Sequence, residues 1–226
     1  MSEILEKIHS RGYWRIIIRP AKFVADRVKY SDLLPILQRI AVQNRSLGFP
    51  HIDPYQPLAK DLNWIGYEFE LMNFIEAWRF YQSGQFAQRS AMWLDWRDQA
   101  GWGSVYNGWK PGIALGIYET VIRFTEIFEL ASRLALSLGA DQLHIETTIC
   151  NIRDRILFTE NPMQIPFVNK YKTSILEFPY KKDVYQQELI SEANQLALEA
   201  SRELFARFDW NPSQDFLQRI QSNSNA

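Results

Sequence analysis

A single long segment, Ile113–Leu138, limits what this chain can fold into more than any other feature of its sequence. Apolar residues recur in it at intervals of three and four, which is the period of a helix with one wide buried face. Its 26 residues would span about 39 Å as a helix, more than twice the radius of gyration of about 17 Å expected for a domain of this length. Charged residues interrupt the segment, among them Glu119, Arg123, Glu129 and Arg133, and they exclude a membrane span. We therefore expect a soluble domain built around one helix that crosses it.

Other periodic segments, before and after Ile113–Leu138, predict strands and a further helix. Tyr13–Arg19 and Gln142–Cys150 each alternate in the way of a strand with one buried face. From Leu71 on, Leu71, Phe74, Ile75 and Trp78 recur at three and four, which predicts a helix that ends at Ser83 and Gly84. A turn at Asn151–Asp154 followed by a strand at Arg155–Thr159 predicts a hairpin with the strand before it.

The order of these elements indicates the fold class. A C-terminal helix is predicted over about residues 184–208, and strands and helices mix without a regular βαβ alternation. We therefore predict an α+β fold, with a mostly antiparallel sheet packed against helices. A single domain is expected over residues 1–220, with one candidate subdivision into a loop-rich half (1–139) and a hairpin-plus-helix half (140–220). The polar tail, residues 221–226, is expected to be disordered.

Composition and termini indicate an ordinary protein of the cytoplasm. Hydrophobic residues make up 46% of the chain and charged residues 23%, close to the averages for globular domains. The first residues lack a basic start followed by an apolar run, so no secretory signal is predicted. Cys150 is the only cysteine, which excludes an internal disulfide and a thiolate metal cluster. We expect a cytoplasmic protein with no membrane partner and no cofactor.

Positive charge is concentrated near the N-terminus, although the net charge of the whole chain is −1. Six basic residues and one acidic residue lie between Arg11 and Lys29. Arg15 and Arg19 share a strand face with Tyr13, and Arg11 would extend the same row. A basic and aromatic sheet face can follow a phosphate backbone and stack bases, so these three arginines are candidate contacts for an anionic partner such as nucleic acid. Alternatively, their stems cover an exposed sheet face and their guanidinium groups pair with acids elsewhere in the chain.

The segment Met92–Lys110 contains four of the chain's eight tryptophans and three of its ten glycines. Large aromatic residues in a loop either fold back onto the core or form a recognition surface. Trp93 and Trp96 lie three apart and are expected to anchor the segment to the core. Trp102 and Trp109 are flanked by glycines and are expected to be exposed contacts. The candidate partner- or ligand-binding residues of the segment are Trp96, Trp102, Tyr106 and Trp109.

Two histidine–carboxylate pairs, His51 with Asp53 and His144 with Glu146, form a candidate metal-site pattern in the sequence. A pair of this spacing in a strand directs both side chains to one face, and two pairs could meet around a metal. Such dipeptides are common by chance, so we predict a hydrogen-bonded loop histidine and a solvent-facing strand histidine instead. No motif for phosphate binding, nucleophilic hydrolysis or zinc proteolysis occurs, and the sequence identifies no catalytic residue.

Two functional hypotheses follow from these patterns. The first is a non-catalytic module, an accessory or regulatory subunit of a bacterial-type cytoplasmic assembly or a homo-oligomer. It would bind a protein partner through Met92–Lys110, which we call the Trp/Gly segment. It would bind an anionic partner through the basic strand Tyr13–Arg19. The second is an enzyme or sensor that holds a planar, nucleotide-like small molecule in a pocket under the Trp/Gly segment. In that case His51, Asp53 or Glu146 would supply proton transfer.

Overall fold

The structure, a computed structural model, describes residues 2–43, 47–97, 109–160 and 170–222. Within these residues the chain forms five α-helices: α1 (Glu3–His9), α2 (Leu33–Ile40), α3 (Ile117–Leu138), α4 (Gln186–Ala206) and α5 (Gln214–Ser222). The same residues form nine strands: β1 (Tyr13–Pro20), β2 (Ala59–Lys60), β3 (Trp64–Leu71), β4 (Phe74–Tyr81), β5 (Phe86–Ala91), β6 (Ala114–Gly116), β7 (Gln142–Cys150), β8 (Ile156–Phe158) and β9 (Glu177–Tyr185).

Seven strands form one sheet in the order β2–β3–β4–β5–β1–β7–β9, and every neighbouring pair in it is antiparallel. The predicted strand at Tyr13–Arg19 is β1, which lies inside the sheet between β5 and β7. The predicted strand at Gln142–Cys150 is β7. β6 and β8 form a separate parallel pair. The predicted α+β class with a mostly antiparallel sheet is confirmed.

The long helix α3 packs against one face of the sheet and forms the centre of the core. Phe124 and Phe128 are fully buried, and Phe124 contacts Trp14 of β1 edge to face, with ring centroids 5.3 Å apart. The predicted helix is confirmed, but α3 begins at Ile117 because the preceding residues form β6. It ends at Gly139, whose φ of 57° is the left-handed C-terminal cap favoured for glycine. The predicted C-terminal helix is α4, which packs along α3.

The helix predicted from Leu71 to Ser83 and Gly84 is wrong, because this segment holds the turn of a hairpin and the whole of β4. β3 ends at Leu71, a two-residue turn follows, and Phe74 begins β4. Met72 in the turn has a φ of 54°, in the left-handed region that two-residue hairpin turns require. Ile75 packs beneath α1 on one side of β4, whereas Trp78 belongs to the main core on the other side. A strand with apolar residues on both faces imitates the three-and-four spacing of a helix.

The hairpin predicted at 151–159 is also wrong. A turn does follow β7, with Asn151 and Asp154 at positive φ, but β8 pairs in parallel with β6 and not with β7. Arg155 precedes β8 and is buried in an ion pair with Asp95, and this contact directs the chain away from β7. Alternation alone predicts the strand correctly but says nothing about which strand it joins.

The two predicted halves of the chain contribute to one hydrophobic cluster, which includes Trp14 and Ile65 as well as Val184 and Leu204. The single domain and its subdivision at residue 139 stay predictions. α5 extends to Ser222, so the first two residues of the predicted tail are helical, and residues 223–226 lie outside the described residues.

Candidate functional site

The sheet has two faces with different chemistry, and β1 divides its side chains between them. Trp14, Ile16 and Ile18 are fully buried on the side of α3, whereas Arg15 and Arg19 lie on the opposite side. We call this opposite side the outer face. α1 covers only part of it, through contacts with β3, β4 and β5.

Four arginines occupy the outer face on three adjacent strands. They are Arg15 and Arg19 of β1, Arg89 of β5 and Arg79 of β4, and we call them the arginine face. Arg15 and Arg89 are directly opposite each other in the antiparallel ladder. None of the four guanidinium groups lies within 4.0 Å of a carboxylate oxygen of any described residue. Like charges that face each other across two strands destabilise a sheet, so this arrangement has a cost in the free protein.

An aromatic ring and a hollow lie beside these arginines. The guanidinium carbon of Arg79 is 4.4 Å from the centre of the Trp64 ring. Gly66 makes this stack possible, because a Cβ there would lie 2.9 Å from Trp64 Cζ3 and 2.7 Å from a backbone oxygen. The neighbouring residues on the outer face are small, and they leave a hollow of about 120 Å³ that Trp64, Tyr81, Arg79 and Arg89 border.

Several acidic residues of the outer face lie on the strands that flank the arginine face. Glu68 of β3 also lines the hollow and accepts a hydrogen bond from Ser2 Oγ. Lys7 of α1 pairs with Glu70 of β3. On the other side, Lys181 Nζ lies 3.2 Å from Glu146 Oε2. His144 Nδ1 lies 2.7 Å from Asp183 Oδ1. Among the described residues, the arginines in the middle of the sheet therefore have no carboxylate oxygen within 4.0 Å, whereas Glu70 and Glu146 towards its edges each pair with a lysine.

Arg11 does not extend this row, although the sequence predicts that it would. Its guanidinium carbon lies 4.2 Å from the centre of the Trp96 ring, and it donates a hydrogen bond to the backbone oxygen of Asp95. The residue precedes β1 and is held at the end of the sheet by these contacts. Arg15 and Arg19 are thus brought together with Arg79 and Arg89, and Arg11 is separated from them.

The tryptophans of the Trp/Gly segment are only partly described. Trp96 is partly buried against Ile8 and Ile75 beneath α1. Trp109 is also partly buried: its indole nitrogen donates to Arg97 O at 3.2 Å, and its ring centre lies 5.3 Å from that of Phe158. The other two candidate residues of the segment, Trp102 and Tyr106, lie outside the described residues.

A pocket of about 150 Å³ lies on the other face of the sheet, between β3, β4 and α3, and we call it the helix-side pocket. Five aromatic residues line it: Phe49, Phe69, Phe74, Trp93 and Tyr118. Four charged residues and one histidine also line it: Glu76, Glu119, Arg123, Glu126 and His51. Leu47 and Gly48 complete the lining. Phe74 is 37% exposed and Glu126 only 1%, so the pocket opens at the hairpin and is closed by α3.

Hydrogen bonds fix the polar wall of this pocket. Glu76 accepts from the backbone nitrogen of His51 at 2.9 Å and from Gln88 Nε2 at 2.9 Å. Arg123 Nη1 lies 3.4 Å from Glu126 Oε2, one turn along α3, and its guanidinium carbon is 5.0 Å from the centre of the Phe49 ring. Burial of ionic groups is tolerated only where partners of this kind are present.

A small recess of about 20 Å³ adjoins the helix-side pocket and shares its residues Phe74, Glu76, Trp93, Glu119 and Arg123. Ser90 of β5 lines this recess and is directly opposite Glu76 in the ladder. The Ser90 side chain is 2% exposed, and its Oγ has no hydrogen-bond partner in the described part of the chain. A buried hydroxyl group without a partner is unusual in a folded protein.

The two histidine pairs do not meet. His51 lines the helix-side pocket, with its ring 4.1 Å from that of Phe69, and burial lowers its pKa, so it is neutral at neutral pH. His144 is on β7 on the outer face, beside Asp183. Asp53 lies in the loop before β2 and accepts a hydrogen bond from the backbone nitrogen of Tyr55. The sheet separates the two histidines.

Sequence reasoning missed most of the residues that make up these two sites. Arg79 and Arg89 lie in strands, but the helix predicted from Leu71 to Ser83 and Gly84 hid the alternation of β4. Glu76 and Ser90 face the core in those strands and have no recognisable motif around them. The sequence does predict an extended segment over Gln85–Trp93, which contains β5, and within it Arg89 and Ser90 point to opposite faces because successive side chains alternate in a strand.

The described residues contain no group of three or more His, Cys, Asp or Glu side chains that could hold a metal ion. No helix among them is long and apolar enough to cross a membrane. The chain matches no protein-family model, no curated protein sequence and no solved structure.

Proposed function

We propose that the protein is a non-catalytic interaction module that binds an anionic polymer, specifically single-stranded nucleic acid, across its arginine face. The observation that carries the proposal is the direct opposition of Arg15 and Arg89 without a carboxylate of the described chain beside either of them. An arrangement that costs stability in the free protein is expected where a bound anion compensates it. Phosphate groups are the common anions that guanidinium groups bind in pairs.

The hollow next to the arginines favours a single strand over a duplex. Bases of a single strand are free to stack on aromatic rings, and such stacking is worth about 1–3 kcal/mol per base. Trp64 borders the hollow at its edge, and Arg79 lies over its ring. A backbone held by Arg15, Arg19 and Arg89 could therefore place a base in the hollow.

The second part of the proposal concerns the Trp/Gly segment. As an accessory or regulatory subunit of a cytoplasmic assembly, the protein would bind a protein partner there while the arginine face holds the anionic one. Trp109 is available for this role as a partly buried ring at the described end of the segment. Partly buried aromatic residues with a polar atom at one edge are frequent anchors of protein interfaces.

The test measures binding of a fluorescently labelled single-stranded DNA oligonucleotide by anisotropy over a series of salt concentrations. We expect affinity to fall steeply with salt, and Arg89→Gln to weaken binding and reduce the slope of log K against log salt by about 0.7. Trp64→Leu is expected to weaken binding without changing that slope, because stacking releases no counterions. Arg207→Gln, which removes an exposed arginine at the end of α4, is the matched control and should change neither.

Two results would contradict the proposal. The first is binding that does not depend on salt, or no binding at low salt. The second is an equal effect of Arg89→Gln and Arg207→Gln, which would mean that net charge, and not the arginine face, attracts the oligonucleotide.

A further inference from the structure

β1 leads into an exposed loop that the proposed function does not use. Residues 21–29 connect β1 to the short 3₁₀-helix before α2, and we call them the basic loop. They contain Lys22, Arg27 and Lys29 and a single acidic residue, Asp26. No carboxylate oxygen of any described residue lies within 4.0 Å of the three cationic groups. The excess of positive charge on the arginine face therefore continues past the end of the sheet.

Hydrogen bonds hold the basic loop in place at both of its ends. Ala21 N donates to the backbone oxygen of the first residue of β7 at 3.0 Å. Val28 is buried, and its nitrogen donates to Gln82 O in the turn between β4 and β5 at 2.8 Å. Arg27 Nη2 donates to Lys22 O at 2.7 Å, which joins the two ends of the loop to each other. The backbone of the loop is thus fixed between two parts of the sheet, while the side chains of residues 21–26 are exposed.

Phe23 is the aromatic residue of this loop, and it is 76% exposed. Exposed apolar residues that occur singly are normal on a protein surface. Phe23 differs from such a residue because Lys22 precedes it and Lys29 lies on the same loop. Single-stranded nucleic acid is bound by this combination, in which the cations contact phosphates and the ring stacks on a base.

The basic loop begins where the arginine face ends. Arg19 is the last residue of β1 whose side chain lies on the outer face, and only Pro20 and Ala21 separate it from Lys22. Arg15 lies four residues before Arg19, which is about 13 Å along a strand. Cations therefore recur every three or four residues from β1 into the loop, and a polyanion that follows β1 past Arg19 reaches the loop next.

From this arrangement, and on the basis of the proposed function, we infer that the basic loop is a second contact site for the same single strand. The strand crosses the arginine face from the hollow beside Trp64 and leaves it past Arg19. Phe23 stacks on one of its bases, and Lys22 and Lys29 bind phosphates near that base. Arg27 is a positioning residue, because its guanidinium group braces the backbone of the loop.

The experiment measures anisotropy of a labelled oligonucleotide of about 16 thymidines, the most that one small single-strand-binding domain commonly covers. Phe23→Ser should weaken binding about fivefold or more, which is the effect of one lost base stack, without changing the dependence on salt. Lys22→Gln should weaken binding and lower the slope of log K against log salt by about 0.7. The matched control is Ile190→Ser, which removes a 50% exposed apolar side chain of α4 and should change neither quantity. Phe23 and Lys22 are exposed, so the variants should melt at the same temperature as the unsubstituted protein.

The inference is overturned if Phe23→Ser binds the oligonucleotide as tightly as the unsubstituted protein, or if Ile190→Ser weakens binding to the same extent. The proposed function fails separately, because it depends on Trp64→Leu and Arg89→Gln, which weaken binding whether or not the loop takes part. No binding by the unsubstituted protein overturns both.

A second measurement uses vesicles of phosphatidylserine and phosphatidylcholine, because apolar residues beside lysines also bind anionic membranes. We expect Phe23→Ser to have no effect on cosedimentation with these vesicles. Vesicle binding that Phe23→Ser abolishes, together with unchanged oligonucleotide binding, would assign the loop to a membrane surface and contradict the inference.

Discussion

Arg155 and Asp95 form a bidentate ion pair inside the protein. Arg155 Nη1 donates to Asp95 Oδ1 at 2.6 Å and Nη2 donates to Oδ2 at 2.5 Å, and both side chains are almost completely inaccessible. Arg155 Nε also donates to the backbone oxygen of Asn151, and Nη1 donates to that of Ala114. The pair therefore joins three segments, those of Asp95, Ala114 and the turn 151–155, and Gly12 adds a fourth by donating its backbone N–H to Asp95 Oδ2 at 2.8 Å.

Loss of one partner of this pair is the most damaging single change that we predict. Arg155→Met leaves the buried Asp95 carboxylate without its cation, and we expect a loss of about 3–5 kcal/mol in the free energy of unfolding. Urea unfolding followed by fluorescence measures it. The matched control is Lys172→Gln, which breaks the exposed pair with Asp154 and should cost less than about 1 kcal/mol. A similar loss in both variants would mean that the buried pair contributes no more to stability than an exposed pair does.

The ion pair between Asp95 and Arg155 could not be predicted from the sequence, because it depends on contacts between residues that are far apart in the chain. Asp95 and Arg155 are sixty positions apart, and a Cβ on Gly12 would overlap the guanidinium group of Arg155. Sequence periodicity reports the environment of one element, such as the buried face of α3, but not which distant residues it brings together. Four elements were predictable because each has one clearly buried face: α3, α4, β1 and β7. Their types and order were enough to predict the α+β class.

The elements that were predicted incorrectly have apolar residues on both faces or unexpected partners. β4 packs Ile75 under α1 and Trp78 under the core, so its alternation is hidden. Of the candidate binding residues, Arg15 and Arg19 could be placed from the alternation of β1. Arg79 and Arg89 could not, since their alignment with Arg15 depends on the order of strands in the sheet.

The opposed arginines lead to a prediction about stability. Arg89→Gln removes the repulsion between Arg89 and Arg15. We therefore expect this variant to have a free energy of unfolding that is higher by at most about 0.2–1 kcal/mol. The gain should shrink as salt is added, because salt screens the repulsion. Arg207→Gln serves as the control for the loss of one positive charge. A marked destabilisation by Arg89→Gln would show that the guanidinium group contributes to the fold of the free protein.

Cys150 is expected to be unreactive in the native protein. It is buried on β7, and burial raises the pKa of its thiol, with smaller opposing effects from Tyr13 and Arg15. Since the thiolate is the reactive form, alkylation by iodoacetamide near pH 8 should be slow in the folded protein and fast in urea. Mass spectrometry of samples taken over time measures both rates. Rapid modification without denaturant would contradict the burial of this thiol.

Glu160 predicts how stability depends on pH. Its carboxylate oxygens accept hydrogen bonds from Tyr118 N and Glu119 N, both at 2.9 Å, at the start of α3. Burial raises the pKa of Glu160 to about 7, although the hydrogen bonds from these backbone N–H groups oppose the shift. Between the ordinary pKa of about 4.5 and this value, the folded state keeps a proton that the unfolded state has released, so this group makes the free energy of unfolding fall as pH rises.

Glu160→Gln removes this titration while keeping a neutral side chain of the same shape. We expect the unfolding free energy of the variant minus that of the unsubstituted protein to become more positive from about pH 5 to about pH 8, by an amount on the order of 1–3 kcal/mol. Urea titrations at several pH values measure this difference, and the contributions of all other groups cancel in it. The lost hydrogen bond adds a constant offset that does not change with pH. A difference that becomes more negative with rising pH would mean that the helix N-terminus keeps Glu160 ionised and that its two backbone donors, and not its burial, determine its pKa.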